Sequence, residues 1–480
     1  MSSETYDYVV GGTSGCVIAG RLAEDLNVAV CVIEAGPDNA DLENVHMVGG
    51  WSQNFDCETD WNITSEPSPG INGRQVKNSR GRFLGGCSGV NGTLCIRGNR
   101  QDYDDWGLEG WSGEDMFKSM AKNGVGELRV TCLRLGDALS PVPDDLLATF
   151  YASIPVGGIG PKVELEQHGI QPLVELPGVG KNLMDHAITF VFYETSKPEL
   201  TNDRLAYYEG ALASSYQLYK DKKSGFLSTF PFGAFGYARV DDRLKDLEPW
   251  KNASPTNDPQ GRPYGAERDP MGLLPTQPNI EWFSTECYGG PKQYDRFPTD
   301  GQGTFAMVNM LLSPRARGSV TLKSTDPTAN PVVDHNYLGD ELDALVMAEA
   351  CRWGNEIVMK GEGTKDVVKG AWPSGEKHHE YTTREQWIEY AKEHSTTCYH
   401  AAGTCKMGKD DDPLAVLDAR LRVRGVEKLR VADCSVMPLM NQGHTQMPAY
   451  GIGEKAADLV KEDTKNLPNM RPDSAVATVA

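Results

Sequence analysis

Two histidines near the carboxy terminus lie where an imidazole could do acid–base chemistry. His400 stands in the segment Tyr399–Gly408 and His444 in the segment Asn441–Tyr450, and both segments contain glycine and read as loops. Imidazole is the usual general base near neutral pH, and loops are where binding and catalytic groups are often displayed. A single histidine is more often structural than catalytic, so spacing alone leaves both interpretations open.

A glycine-rich loop near the amino terminus could hold a phosphate-bearing cofactor. Apolar residues Tyr8–Val10 run into Gly11–Gly15, a helical pattern follows, and a second apolar run over 28–33 ends at Glu34. This strand–helix–strand pattern brings backbone N–H groups to a pyrophosphate, with Glu34 placed for the ribose hydroxyls. Val10 stands where the dinucleotide-binding pattern has its first glycine, and similar loops also occur without a ligand.

A second cluster of glycine and small polar residues spans Gly81–Thr93. Glycine supplies unusual backbone angles in any irregular turn, so a plain turn is one interpretation. The alternative is a backbone packed closely against a flat ligand.

Together these segments resemble the glucose–methanol–choline (GMC) family of FAD-dependent oxidoreductases. The resemblance is carried by the amino-terminal loop with Glu34, by 81–102, by Gly178–His186 and by 400–455, and it covers most of 5–122 and 158–463. It implies an α/β fold, in which a Rossmann-like FAD-binding domain is interleaved with an α+β substrate domain built on an antiparallel sheet. The expected domains are 1–160 with 395–465 for FAD, 187–395 for substrate, and a disordered tail over 466–480.

The resemblance also implies roles for individual residues. His400 would be the base that takes the alcohol proton, and His444 would hydrogen-bond the developing alkoxide. Val90 stands where some members tether the flavin through histidine, so non-covalent FAD is expected. The residues expected to bind the cofactor are Gly11, Gly12, Thr13, Ser14, Gly15, Glu34, Ala35, Arg82, Gly85, Gly86, Asn91, Gly92, Thr93, Tyr399, Asp433 and Thr445.

Composition limits the partners. The formal net charge of −20 argues against nucleic acid, whose phosphates need a basic surface, and against anionic lipid. No apolar run of about 20 residues and no secretory leader is visible, so a cytoplasmic location without membrane attachment is expected. The 11 cysteines form no CxxC pair and read as reduced thiols, and no metal site is expected because no His/Cys cluster has ligand spacing.

The region between about 122 and 158 is shorter than the family pattern, by on the order of a hundred residues, the size of a small domain. Three interpretations are open: a misread gene, a truncated relative without activity, and a working short variant. The short variant has a physical cost: loss of central strands would expose an apolar sheet edge, which folded proteins avoid.

The expected activity is oxidation of a small-molecule alcohol to a carbonyl by hydride transfer to flavin N5, with oxygen or another acceptor reoxidising the flavin. The main alternative is a catalytically inactive relative. A carbon–carbon lyase with bound flavin is a further one.

Overall fold

The computed structural model describes residues 6–122, 155–229, 232–254, 267–289, 297–465 and 476–479. Its strands are β1 Tyr8–Gly11, β2 Val30–Ile33, β3 Ile63–Thr64, β4 Lys77–Asn78, β5 Ile159–Gly160, β6 Val174–Glu175, β7 Ala187–Thr195, β8 Phe232–Ala238, β9 Ile280–Thr285, β10 Thr304–Leu311, β11 Ser319–Thr321, β12 Val332–Asp334, β13 Val368–Ala371, β14 Ser395–Thr397, β15 Leu429–Val431 and β16 Val476–Val479. Its α-helices span Gly12–Leu22, Arg100–Asp104, Gly113–Lys122, Lys162–Gln167, Asp203–Ala206, Ala211–Lys222, Asp241–Leu244, Glu248–Asn252, Glu341–Lys360, Arg384–His394 and Gln446–Lys465.

A parallel sheet with the strand order β15-β16-β1-β2 forms the first unit. The amino-terminal helix Gly12–Leu22 connects β1 to β2, as the strand–helix–strand pattern predicts, and it packs against the carboxy-terminal helix Gln446–Lys465. Ile18 and Ile452 are both fully buried in the core that these helices share with the sheet. The two ends of the chain therefore build one unit, because their apolar helix faces cover the same sheet.

The end of the chain differs from the sequence expectation. Residues 476–479, which lie within the predicted disordered tail, form β16, and this strand pairs in parallel with β1 on one side and β15 on the other. Four residues with two β-branched valines suit a strand, and the backbone groups of β1 and β15 gain partners. The structure thus has a strand at 476–479, where the sequence predicts a disordered tail, while residues 466–475 and 480 lie outside the described residues.

We expect deletion of residues 476–480 to destabilise the first unit. Without β16 the facing backbone groups of β1 and β15 lose their strand partner and form open sheet edges. A loss of about 1 kcal/mol would lower the Tm by roughly 2–4 °C in a domain of this size. Thermal unfolding of the truncated chain measures the effect, and a chain that lacks only residue 480 is the matched control. An unchanged Tm after removal of 476–480 would contradict a structural role for β16.

An antiparallel sheet forms the second unit. Its strand order is β13-β7-β10-β9-β8, and β14 also pairs with β7. The apolar segments 279–283, 304–308 and 318–322 predict strands of one antiparallel sheet, and the first two appear as β9 and β10, at its centre. The segment predicted over 318–322 does not join this sheet, because β11 pairs instead with β12 in a separate hairpin.

The long helix Glu341–Lys360 covers the antiparallel sheet, as its apolar periodicity predicts. Asp340 caps it by accepting the Leu342 N–H, and Leu345, Val346 and Ala350 are buried in the second core. The helix Arg384–His394 packs beside it.

The two units are more interleaved than the predicted division. Ile71 and Val76, from the segment expected in the FAD domain, pack into the core of the second unit. Val179 and Met184, between the predicted domains, pack into the core of the first. Apolar side chains from connecting segments are buried in whichever core they reach, and the domain boundaries stay a prediction. Among the described residues, no helix combines the length and the apolar character needed to cross a membrane.

Candidate active site

The glycine-rich loop leads from a strand straight into a helix. β1 ends at Gly11 and the helix begins at once with Gly12, whose φ is +82°. The N-cap residue forms no side-chain capping bond and the first turn has no acidic residue, so the start of this helix suits a negatively charged group. A Cβ on Gly11 would lie 2.9 Å from the Ile33 carbonyl oxygen, so glycine lets β1 and β2 approach here.

Glu34 follows β2 directly, beside the glycine loop. Gly11 pairs with Ile33 across the two strands, which brings the carboxylate next to the start of the helix. Glu34 Oε1 accepts the Gly36 N–H at 3.0 Å, and burial raises the pKa of the carboxyl group. This arrangement places a carboxylate beside uncapped helix amides, as dinucleotide binding requires.

The second glycine cluster packs against this loop. Thr13 Oγ1 donates to the Gly85 carbonyl at 3.1 Å, and Gly85 and Gly86 both have positive φ. A Cβ on Gly36 would lie 1.9 Å from the carbonyl oxygen of Arg82, so the chain after Glu34 lies directly on the cluster.

The carboxy-terminal segment closes on the same place. Ser14 Oγ donates to the Ala449 carbonyl at 2.9 Å, and the hydroxyls of Tyr450 and Ser88 are hydrogen-bonded at 3.1 Å. Ala449 and Tyr450 lie five and six residues after His444, in the first turns of the carboxy-terminal helix. The structure therefore brings both glycine segments close to the His444 loop.

The other predicted cofactor residues lie around this centre. Asp433 follows β15 and accepts the Ser435 N–H, and burial raises the pKa of its carboxyl group. Tyr399, with φ of +61°, directly precedes His400, and Thr445 directly follows His444. The remaining members of the predicted set differ in burial: Gly15 is buried in the amino-terminal helix, Ala35, Asn91 and Gly92 are half-buried in their loops, and Thr93 is exposed.

Buried polar atoms near His444 show that the site suits a polar ligand. Within the described residues, Asn441 Oδ1, Gln442 Oε1 and Gln446 Oε1 are buried and have no hydrogen-bond partner. A buried polar atom without a partner is costly, so three such acceptors beside one loop favour a ligand that carries donors. The uncapped helix, the adjacent carboxylate and these acceptors together fit a flavin dinucleotide, which has a pyrophosphate, ribose hydroxyls and ring N–H groups.

The two predicted catalytic histidines lie side by side. The ring centroids of His400 and His444 are 4.8 Å apart, and the rings are nearly perpendicular at 82°. Both side chains are buried, with 8% and 5% of their surface exposed. Residues 44 positions apart in the sequence thus form one imidazole pair.

Sequence reasoning missed two residues that hold His400. Asp185 Oδ1 accepts the backbone N–H of His400 at 2.8 Å, while its other oxygen accepts the hydroxyls of Tyr337 and Thr397. The Nδ1 atoms of His186 and His400 are 2.8 Å apart. A signal was present, since both residues end the segment Gly178–His186 on which the family resemblance partly rests.

Sequence reasoning also missed two groups around the pair. His444 Nε2 lies 3.2 Å from Oε1 of Glu281, a fully buried carboxyl group on β9. Cys398 Sγ lies 3.9 Å from His400 Nε2, and burial raises the pKa of this thiol well above its ordinary value. No spacing rule connects Glu281, in the middle of a strand, with a loop more than 160 residues later.

Three potential metal-ligating side chains lie together at the imidazole pair, where the sequence predicts no metal site. Cys398, His400 and His444 each offer one donor atom, and these atoms lie within 4.8 Å of one another. The spacing of residues in the sequence does not reveal this group, because His444 lies far along the chain from Cys398 and His400. Donors of one tetrahedral zinc ion lie closer, at about 3.3–3.8 Å for bonds of 2.0–2.3 Å, so this group is wider than a formed zinc site.

Known proteins resemble this chain in sequence. Residues 6–139 match the amino-terminal model of the GMC oxidoreductase family, and residues 314–453 match its carboxy-terminal model. The chain is 26% identical to the oxygen-dependent choline dehydrogenase of Brucella anthropi, over 94% of this chain and 95% of that protein. That alignment runs over 563 positions, more than the 480 residues here, so parts of the relative have no counterpart in this chain.

Solved structures share the fold. An Aspergillus oryzae formate oxidase variant, studied for modification of its FAD, superposes with a TM-score of 0.81 at 22% identity, over 98% of this chain and 100% of the other. A fungal aryl-alcohol oxidase superposes with a TM-score of 0.71 at 20% identity, over 96% and 100% of the two chains.

Proposed function

Because this chain belongs to the GMC oxidoreductase family and is an FAD-dependent oxidoreductase, we propose that it oxidises a CH–OH group of a small-molecule alcohol to a carbonyl. The observation that carries this proposal is the buried imidazole pair of His400 and His444, whose ring centroids are 4.8 Å apart. Such a pair beside a flavin site can take a hydroxyl proton and stabilise the oxygen that loses it.

Residues at the amino-terminal loop would hold the cofactor. The uncapped start of the helix Gly12–Leu22 would bind the pyrophosphate, and Glu34 the ribose hydroxyls. FAD would supply the hydride acceptor at flavin N5. We propose that it is bound without a covalent link, because Val90, the position of the tether in some members, is a buried apolar residue with no nucleophile.

His400 would act as the general base. Burial and the neighbouring rings lower its pKa, which keeps its imidazole neutral and able to accept a proton. Asp185 holds the backbone at this position through the His400 N–H. The proton that leaves the alcohol would end on a ring nitrogen of His400 while hydride leaves the carbon.

His444 would hold the alcohol oxygen. Glu281 lies within hydrogen-bond distance of its Nε2 and fixes the orientation of the ring. Because both histidines are buried, water is excluded from the oxygen as its charge develops, which strengthens their hydrogen bonds to it.

The surroundings of His444 favour an apolar group beside the alcohol. The rings of Phe283 and Phe235 lie 6.1 and 6.3 Å from the His444 ring, and they stack on each other at 5.4 Å. An aromatic wall next to the reacting centre favours an alcohol with an apolar or aromatic substituent. The relatives are named for choline, formate and aryl alcohols, so the choice of substrate differs within this fold.

Anaerobic flavin bleaching tests the proposed function. The purified chain should be yellow with a flavin spectrum, and at least one alcohol from a panel of aryl, aliphatic and amino alcohols should reduce the flavin. A colourless, stably folded chain would support the inactive relative instead. Bound flavin that no alcohol reduces, with cleavage of a carbon–carbon bond in an adduct of the corresponding aldehyde, would support the lyase. The cytoplasmic location stays a prediction from the sequence, as does reoxidation of the flavin by oxygen or another acceptor.

We expect kcat/KM for the alcohol to persist at acidic pH. Desolvation, His444, His186 and Arg80 all lower the pKa of His400 below its ordinary 6.5. A base is inactive when protonated, so kcat/KM should stay level from about pH 8 to below the pKa of about 6.5 of free imidazole, and fall only further into acid. Steady-state kinetics across this range provide the measurement. A fall centred at or above pH 6.5 would contradict a desolvated base.

A further inference from the structure

We propose that His186 is a positioning residue that sets the tautomer of His400, so that His400 Nε2 carries the free lone pair. The inference deepens the proposed function, because it states which nitrogen of the base receives the alcohol proton. It rests on two hydrogen bonds of His186, one to a backbone carbonyl and one to the ring of His400.

The first step concerns the charge of the two rings. His186 is fully buried, and desolvation is the main reason that its pKa falls to about 4, with His444 acting in the same direction and Asp185 against it. His400 is likewise held neutral by burial. Each ring therefore carries one hydrogen near neutral pH, on either Nδ1 or Nε2.

The second step places the hydrogen of His186. Its Nε2 lies 3.1 Å from the carbonyl oxygen of Leu312. A carbonyl oxygen can only accept, so Nε2 must be the protonated nitrogen. The backbone of Asn441 acts on the pKa of His186 in the same direction as the Leu312 carbonyl, since both favour the protonated ring. Because a neutral ring has a single hydrogen, His186 Nδ1 is left as an acceptor.

The third step derives which nitrogen of His400 carries the hydrogen. The two Nδ1 atoms are 2.8 Å apart, and one of them must donate. His186 Nδ1 accepts, so His400 Nδ1 carries the hydrogen and its Nε2 is unprotonated. The free nitrogen lies on the side of Cys398, whose Sγ is 3.9 Å away. His186 thus fixes the tautomer of His400 by accepting its Nδ1 hydrogen, as a carboxylate does for the imidazole in other sites.

Other contacts do not explain this orientation. Asp185 accepts the backbone N–H of His400 and does not bind its ring. The ring of His444 meets the ring of His400 edge to face at 4.8 Å, and its Nε2 is directed to Glu281. The titratable and charged groups around His186, His400 and His444 are Asp185, Arg80, Cys398 and Glu281. His186 Nδ1 lies 2.8 Å from His400 Nδ1 and is the acceptor for its hydrogen.

Two substitutions separate positioning from packing. His186→Asn keeps a polar group near the Nδ1 position that can accept from His400, and His186→Leu keeps bulk without an acceptor. We expect the rate of anaerobic flavin reduction to fall about 10–100-fold in the leucine variant and only a few-fold in the asparagine variant, with FAD content unchanged in both. A role in packing alone predicts the opposite order, and that result would overturn the proposal.

A spectroscopic test does not depend on activity. In the flavin-loaded chain labelled with ¹⁵N-histidine, the signals of His400, assigned by their loss in His400→Ala, should show a protonated Nδ1 and an unprotonated Nε2. His186→Leu should shift them toward the other tautomer. A wild-type His400 protonated on Nε2, or a leucine variant with unchanged signals, would overturn the proposal. If the predicted tautomer is seen but no alcohol bleaches the flavin, the proposed function fails and the positioning role stands.

Discussion

Replacement of His400 by alanine should lower the rate of alcohol-driven flavin reduction by about 10²–10⁴-fold, the usual contribution of a general base. The substitution removes the neutral ring that faces His444. Neither neighbouring imidazole is placed to take over, because His186 Nε2 is hydrogen-bonded to the Leu312 carbonyl and His444 Nε2 to Glu281. FAD should stay bound, because the uncapped helix and Glu34 lie on separate elements of the first unit.

Anaerobic stopped-flow spectroscopy measures this effect, with flavin absorbance reporting both cofactor content and reduction. His168→Ala is a suitable control, because His168 ends the short helix Lys162–Gln167 and is not part of the imidazole cluster. Bleaching at the wild-type rate in the His400 variant would show that the base is misassigned. Loss of flavin from the purified variant would show instead that His400 is needed for cofactor binding.

The second large effect is expected for Gly36→Ala, which should destabilise the chain and deplete its flavin. The new Cβ would lie 1.9 Å from the Arg82 carbonyl oxygen and 2.8 Å from the Phe83 nitrogen, and both are backbone atoms that cannot rotate away. Forcing extra atoms into such a contact typically costs about 1–3 kcal/mol. The chain after Glu34 would move off the second glycine cluster, and the Gly36 N–H bond to Glu34 would be strained.

Gly20→Ala is the matched control for this variant. Gly20 lies in the amino-terminal helix, and a Cβ there would meet nothing within 4 Å. Alanine inside a helix is more stable than glycine by about 0.5–1 kcal/mol, so the control should retain or raise the Tm. Thermal unfolding and the ratio of flavin to protein absorbance provide the measurement. Equal Tm and flavin content in both variants would show that the close approach at Gly36 is not needed.

Local patterns in the sequence predicted individual strands and helices, including the strand–helix–strand unit at the amino terminus. The change from apolar strand to glycine loop to helix correctly predicted β1, the helix Gly12–Leu22 and β2, because each step follows from backbone propensity and periodicity. The helix Glu341–Lys360 was predicted for the same reason. The hairpin of β11 and β12 was assigned to the wrong sheet, since strand character does not specify a partner.

The family resemblance predicted the FAD-dependent oxidoreductase that the comparisons confirm, together with its α/β fold. The residues assigned to catalysis and cofactor binding stay predictions, although the structure brings the two histidines together. Residues 123–154, where the chain is shorter than the family pattern, lie outside the described residues. Residues 476–479 form a strand in the predicted disordered tail. The sequence did not indicate it, because this short segment is a strand through its pairing with β1 and β15.

The sequence by itself determined the segments that carry chemistry: a glycine loop followed by a carboxylate, and two histidines on carboxy-terminal loops. Only the tertiary structure decided how the histidines are held. Asp185, His186, Cys398 and Glu281 come from segments far from His444, and burial around them controls which rings carry charge. The physical reason is that propensity acts along the chain, whereas desolvation and hydrogen-bond direction depend on neighbours in space.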